Sequence, residues 1–325
     1  MVTIYDIAKE LNISPSTVSR VYSRPELVSE KTRTLVLTKA KDMGYQANMI
    51  ASQLRSRNSN IIALVSLEKG WSMYTSALAN GVQQKAEALG YNIMVVPIGV
   101  EPKKTIQMCE AMRFAGLIIA GTQLGDELYY NDNIIPLVHV NRNNKEYNVI
   151  LPDDYYGIQL GMDFLYRMGH RHIGYINGPA NSYHSGIRLK AYNEWMERNH
   201  CPVREEWIDS GNWDLESGYK AAIKILNNSA VPTAILAAND EMCKGVYQAA
   251  EKFGLRVGKD ISVMGYNNED DGEWITPKLT TVSFPLYEMG AMASKMLVDI
   301  IENGTKEEPV IVRGELIVRD SVGKV

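Results

Sequence analysis

Along the first 45 residues, apolar positions recur at helical spacing in three short runs. Ile4, Ile7, Ala8 and Leu11 share one face of a first helix, and Thr3 with Asp6 three residues on reads as its capping box. Asn12-Ile13 breaks that helix. Ser14-Pro15 starts a second, with Ser as the cap and Pro at the first helical position, where its missing N–H costs nothing. Val18 and Val21 then face inward and leave Ser16, Thr17, Ser19, Arg20 and Ser23 outward. A third helix is predicted from Ser29 to Gly44, with Leu35, Val36, Ala40 and Met43 as its apolar positions. Three short helices with a tight turn between the first two fit a helix-turn-helix, whose second helix reads the major groove. The pattern alone fits any small helical bundle equally well.

From Ile61 the period changes. Short apolar strands at Ile61–Leu67, Tyr91–Pro97, Gly116–Ala120, Leu137–Val140, His172–Asn177, Ala234–Ala237 and Ile261–Tyr266 alternate with helices such as Tyr74–Leu89, Tyr155–Met168, Gly186–Arg198, Leu215–Leu226, Glu241–Phe253 and Leu286–Glu302. That alternation predicts a parallel α/β sheet. A body of roughly 265 residues should divide into two lobes.

The net charge of −4 looks wrong for a nucleic-acid binder until it is divided. Through Ser59 nine basic residues face five acidic ones, a balance of +4, and the remainder carries −8. A basic head on an acidic body is the distribution expected if only the head touches phosphates. No apolar run approaches the ~20 residues of a membrane span. The first residues lack a basic stretch followed by an apolar core, so a cytoplasmic protein is expected. Cys109, Cys201 and Cys243 are far apart and show neither metal-ligand nor disulfide spacing, and His170 and His172 lie in a loop entering a strand. No metal or cofactor is expected. Gly-x-Ser-x-Gly, a phosphate-cradling glycine loop and a dinucleotide fingerprint after the first strand are all missing. Asp153-Asp154 and Glu269-Asp270-Asp271 are expected to be loop carboxylates, and the chain is not expected to be an enzyme.

The run Thr3-Ile4-Tyr5-Asp6-Ile7-Ala8, then Ser14-Pro15-Ser16-Thr17-Val18-Ser19-Arg20-Val21, Val28-Ser29, Thr32-Arg33 and Gly44-Tyr45-Gln46-Ala47-Asn48, closely resembles the head of the lactose-repressor/galactose-repressor family. Asn48-Met49-Ile50-Ala51-Ser52-Gln53-Leu54 resembles that family's hinge helix, in which Ala51 and Leu54 would enter the minor groove. About eight residues are too few to hold a helix alone in water, so it should order only against DNA and a second copy of itself. The body is similar to the family's sensor core, shaped like a periplasmic sugar-binding protein. Its landmarks are Gly169-His170-Arg171-His172-Ile173, Glu216-Ser217-Gly218-Tyr219, Pro232-Thr233-Ala234, Asn239-Asp240-Glu241-Met242, Asp260-Ile261-Ser262-Val263, Leu279-Thr280-Thr281-Val282 and Val318-Arg319-Asp320-Ser321.

The resemblance covers essentially the whole chain. It implies an all-α helix-turn-helix head, residues 1–46, a hinge and linker, 47–59, and an α/β core of two Rossmann-like lobes, 60–325. The first lobe would hold about 60–152 plus 284–312, the second 153–283 plus 313–325. A small effector would bind between the lobes at the strands' carboxyl ends. Arg188 matches an arginine that anchors ligand hydroxyls or a carboxylate, although it could instead pair with a surface acid. Trp213 matches an aromatic lying against the ligand, Asn239 and Asn267 would aim amides into the cleft, and Tyr74, Thr75 and Phe284 complete the set. At Asn267 many sugar-responsive relatives have Asp, and Pro15 and Ser16 replace longer base-contacting side chains.

The expected function is repression of transcription. A homodimer would bind a pseudo-palindromic operator, with Ser14, Pro15, Ser16, Thr17 and Arg20 on base edges or nearby phosphates. Ser19, Ser29, Thr32, Tyr45 and Asn48 would set the backbone register, Thr3 and Tyr5 would also contact DNA, and Arg55 and Arg57 would add phosphate attraction. The chain stops after Arg319-Asp320-Ser321 without leucine heptads, so a dimer is expected rather than a tetramer. The effector is expected to be a sugar or sugar derivative. A phosphorylated carrier protein as co-effector, or a sugar-binding protein without a regulatory role, are the alternatives.

Overall fold

A computed structural model of the chain describes residues 2–23, 25–45, 59–66, 73–97, 102–121, 135–142, 148–268 and 275–325. They form two compact units, Met1–Asn60 and Ile61–Val325.

In the head, α1 (Ile4–Glu10), α2 (Pro15–Ser23) and α3 (Glu30–Asp42) surround a core of Ile7, Ala8, Val18, Val21, Val36 and Ala40. A short turn of 3-10 helix, Pro25–Leu27, joins the last two. Six buried side chains make a small core, and the Lys39–Glu10 ion pair at 2.9 Å ties α3 to α1 at the surface. Ser29 caps α3 rather than opening it, and Met43 ends it one residue before Gly44. Leu35, expected inside, is half exposed because Val36 takes the inward position.

The larger unit holds two six-stranded sheets. In chain order its elements are β1 (Ile61–Ser66), α4 (Met73–Ala88), β2 (Asn92–Pro97), α5 (Pro102–Ala111), β3 (Gly116–Ala120), β4 (Leu137–Val140), β5 (Val149–Pro152), α6 (Asp154–Arg167), β6 (Ile173–Asn177) and α7 (Tyr183–Arg198). There follow β7 (Ile208–Ser210), α8 (Leu215–Leu226), β8 (Ala234–Ala237), α9 (Asp240–Lys252), β9 (Ser262–Asn267), β10 (Thr280–Ser283), α10 (Leu286–Asn303), β11 (Val310–Val312) and β12 (Glu315–Ile317). The first sheet runs β11-β5-β4-β3-β1-β2 and is parallel throughout. The second runs β12-β10-β9-β8-β6-β7, with only β12 antiparallel to its neighbour. Strands β3, β4, β6 and β8 are buried at every position, as strands covered by helices on both faces must be.

The chain passes from one sheet to the other three times: from β5 into α6, from β10 into α10, and from β11 into β12. At the second passage, Phe284 is buried against the Tyr266 ring, with centroids 5.4 Å apart. All three passages lie beside the carboxyl ends of β4, β5, β9 and β10, and this is where the cleft forms.

Candidate functional site

In the head, the hydroxyls expected to meet DNA also cap the helices. Thr3 Oγ1 donates to Asp6 Oδ2 at 2.7 Å, the Asp6 N–H donates back at 3.4 Å, and the Thr3 N–H completes the box at 2.8 Å. Those bonds from Thr3 hold the Asp6 carboxyl below its usual range. Ser14 Oγ accepts from the Thr17 N–H at 3.1 Å and lies within 2.7 Å of Ser16 Oγ and 2.8 Å of Thr17 Oγ1. Ser29 Oγ accepts from the Thr32 N–H at 3.3 Å and meets the Thr32 hydroxyl. A cap satisfies one donor of the first turn and leaves others facing outward, where a phosphate can bind.

With α2 so anchored, Ser16 and Arg20 stand exposed one turn apart on one face, while Pro15, Thr17 and Ser19 are half-buried beside them. Tyr5 is 66 % exposed, and Tyr45 packs its ring against Tyr22 at 5.8 Å. Asn48, Ala51, Leu54, Arg55 and Arg57 lie outside the described residues.

The cleft of the larger unit is lined by Asn141, Pro152, Arg188, Asn267, Phe284, Leu286 and Met289. The cavity they leave is about 10 Å³, room for about one water. Small-molecule sites are commonly about 300–1,000 Å³, so a metabolite would have to part the lobes. Asn141 follows β4 with φ of +59°, and Asn267 ends β9 with φ of +102°. Asn tolerates such left-handed conformations better than most residues, and in both cases the amide is at the end of a strand where the cleft opens.

Arg188 has a partner that reading the sequence missed. Its Nε donates to Asp154 Oδ1 at 2.8 Å, its Nη1 donates to the Ala238 carbonyl, and its guanidinium lies 3.9 Å from the Tyr266 ring centroid. His184, one turn before it on α7, directs Nδ1 at Asp154 Oδ2 and places Nε2 3.0 Å from the Asn141 carbonyl. This last bond runs from the second lobe to the first. The Tyr266 hydroxyl donates to Asp154 Oδ1 at 3.0 Å. Burial alone would push the Asp154 carboxyl up, but Arg188 and His184 outweigh it and hold it below the usual carboxylate range. Burial first, then the Asp154 charge, pushes the Tyr266 phenol well up.

The expectation that Asp153 and Asp154 are loop carboxylates is therefore wrong. Asp153 caps α6 by accepting from the Tyr156 N–H, and Asp154 opens that helix, 3 % exposed, beneath the cleft. The legible signal was the spacing of His184 and Arg188, four residues apart on a helix and both facing inward.

The other expected residues divide. Asn267 and Phe284 line the cleft with Arg188. Trp213, at φ of +66°, lies 5.7 Å from the Arg188 guanidinium and rests on Gly178, where an added Cβ would sit 2.1 Å from the indole. Only glycine at the end of β6 lets the indole come so close. Asn239 is engaged elsewhere: its Oδ1 caps α9 by accepting from the Met242 N–H, and its Nδ2 donates to the Trp213 carbonyl at 3.0 Å. It positions Trp213 rather than aiming an amide into the cleft. Thr75 is buried in the first turn of α4, and Tyr74 precedes it there.

Residues 3–48 match the family model for bacterial regulatory proteins of the lacI family, and residues 162–322 match that for a periplasmic binding protein-like domain. The chain is 31 % identical to the HTH-type transcriptional repressor PurR of Proteus mirabilis (strain HI4320), over 99 % of this chain and 97 % of the relative. It is 32 % identical to a probable HTH-type transcriptional repressor, ExuR, of Bacillus subtilis (strain 168), over 100 % of this chain and 99 % of the relative. A crystal structure of the lac repressor dimer bound to operator and the anti-inducer ONPF superposes with a TM-score of 0.88, at 29 % identity and 98 % coverage of both chains. Repressors at this similarity along the full length set aside the reading of a sugar-binding protein without a regulatory role. The chain belongs to the lacI family of bacterial regulatory proteins: it is an effector-controlled DNA-binding transcriptional repressor, and not an enzyme.

Proposed function

We propose that a homodimer of this chain binds a pseudo-palindromic operator through α2, one copy per half-site in successive major grooves. Ser14, Pro15, Ser16, Thr17 and Arg20 contact base edges and adjacent phosphates. Ser19, Ser29, Thr32, Tyr45 and Asn48 fix the register, and Thr3 and Tyr5 also contact DNA. Residues 47–59 form the hinge, with Ala51 and Leu54 in the minor groove and Arg55 and Arg57 near phosphates. The dimer forms in the cytoplasm, where a repressor meets its DNA. The edge strand β2 supports the homodimer: Met94 and Val95 are exposed on it, and α5, which follows, exposes Met108 with Met112 just beyond. An unpaired edge carrying apolar side chains is a surface that a second copy would cover.

The effector sits between the lobes, held by Arg188, Asn267 and Phe284, with Trp213, Tyr74 and Thr75 at its margin. The observation that carries this reading is the convergence of Asn141 from the first lobe, Arg188 and Asn267 from the second, and Phe284 from a crossover on one cleft. A ligand there must alter how the lobes meet, which is what operator control requires. In vitro selection from random DNA supplies the operator, and gel-shift titration then measures its affinity with and without candidate metabolites. A selected sequence with two symmetric halves, whose affinity one metabolite changes, supports the reading. Selection that yields no preferred sequence overturns it.

A further inference from the structure

The cleft floor carries an uneven charge. His184 Nδ1 faces a carboxylate oxygen and its Nε2 faces the Asn141 carbonyl. Both ring nitrogens therefore meet acceptors, so the ring holds two protons, or the one shared with Asp154 sits on the carboxyl. The count is the same in either case: Asp154, His184 and Arg188 together carry one net positive charge. All three are buried, at 3 %, 3 % and 4 % exposure. Asp154, Tyr266 and Tyr175 are the side chains that act most strongly on the Arg188 charge, and burial keeps both phenols protonated. Asp154 is the acidic side chain that meets both His184 and Arg188 directly. His184 and Arg188 lie in the first two turns of α7 and Asp154 opens α6, so both helix amino-termini add positive potential. A buried charge without a counter-charge is costly to hold.

Two groups remain open at the same place. Arg188 has committed Nε and Nη1, which leaves Nη2 for the cleft it lines. Asn141 Oδ1 is buried beside that cleft and accepts from nothing among the described residues. The first group calls for an anion and the second for a donor.

We propose that the effector is a hydroxylated anion, a sugar acid or sugar phosphate, whose anionic oxygens complete the charge at Arg188 and whose hydroxyl donates to Asn141. This rests on the reading of the chain as a repressor with a ligand in this cleft. The test is thermal melting of the full chain with glucose, gluconate, glucuronate, glucose 6-phosphate, their galactose counterparts, and adenine and guanine. A ligand bound only by the folded state raises the melting temperature. One acid or phosphate should raise it by several degrees while its neutral parent does not, and comparing acid with phosphate identifies the anionic group. Calorimetry with His184→Gln, which removes the positive charge, should then show that ligand weakened roughly tenfold. A neutral sugar or nucleobase that stabilises as strongly as any anion overturns the proposal, as does a panel in which no anion stabilises. Either result leaves the repressor reading standing if a selected operator is still recognised, whereas failure to select any operator removes that reading whatever the ligand.

Discussion

At the scale of single residues, Arg188 changes meaning between sequence and structure. Its match to a ligand anchor was legible. Its bond to Asp154 was not, because 34 residues separate the two and only the crossover from β5 into α6 brings them together. Arg188→Ala leaves a buried carboxylate with one cation fewer, and breaking such a pair costs about 3–5 kcal/mol. Chemical denaturation should show a loss of that size; a loss under about 1 kcal/mol would mean that the pair is not held as described. Any fall in effector response in that variant must therefore be read against its stability. A different residue governs mild acid. His170, 1 % exposed, places Nε2 3.1 Å from the Gly323 carbonyl and Nδ1 2.9 Å from the Thr233 hydroxyl. Burial, more than the opposing Gly323 bond, lowers its pKa from 6.5. The unfolded chain therefore takes up this proton more readily, so the stability contributed by neutral His170 is complete above pH 6.5 and declines as the pH falls below it. Melting temperatures should drop between pH 7 and 5, and His170→Gln should flatten that slope. An equal slope in the variant would assign the effect to other groups.

At the scale of elements, the caps were the clearest text. Thr3, Ser14 and Ser29 each begin a helix where the sequence placed one, because a hydroxyl bonding to the first-turn N–H groups is a local device. Ser14 is assigned two roles, cap and DNA contact, and two substitutions separate them. Ser14→Ala should cost about 0.5–2 kcal/mol of head stability. Ser14→Asp should keep the cap and set a carboxylate against phosphate, so melting is preserved while operator affinity falls. If both variants bind operator as the parent does, Ser14 does not face DNA. The short strands were the least legible elements. β5, β10, β11 and β12 have three or four residues each and no usable alternation. What fixes them is a partner far along the chain: β11 pairs with β5 through Val310↔Ile150. Landmarks such as Leu279-Thr280-Thr281-Val282 marked the place of β10 without revealing that it was a strand.

At the scale of the whole molecule, the proposed dimer makes Val95 informative far from DNA. Val95→Asp sets a charge on the exposed edge of β2, and sedimentation should show monomers. Operator affinity should fall by about 10²–10⁴, the loss expected when two linked half-site contacts become independent. A dimer that persists in Val95→Asp would move the interface elsewhere. The order of the strands has a consequence for synthesis. β11 and β12 are the edges of their sheets, and they lie side by side within residues 310–317. A growing chain thus carries both sheets unfinished, each with a bare strand, until residues 310–317 have been made. Ending the chain at residue 309 should leave two open edges at once, on β5 and β10, and such edges invite pairing with other chains. That truncated protein should appear in the insoluble fraction on expression, and a soluble, monodisperse product would show that the two final strands are dispensable.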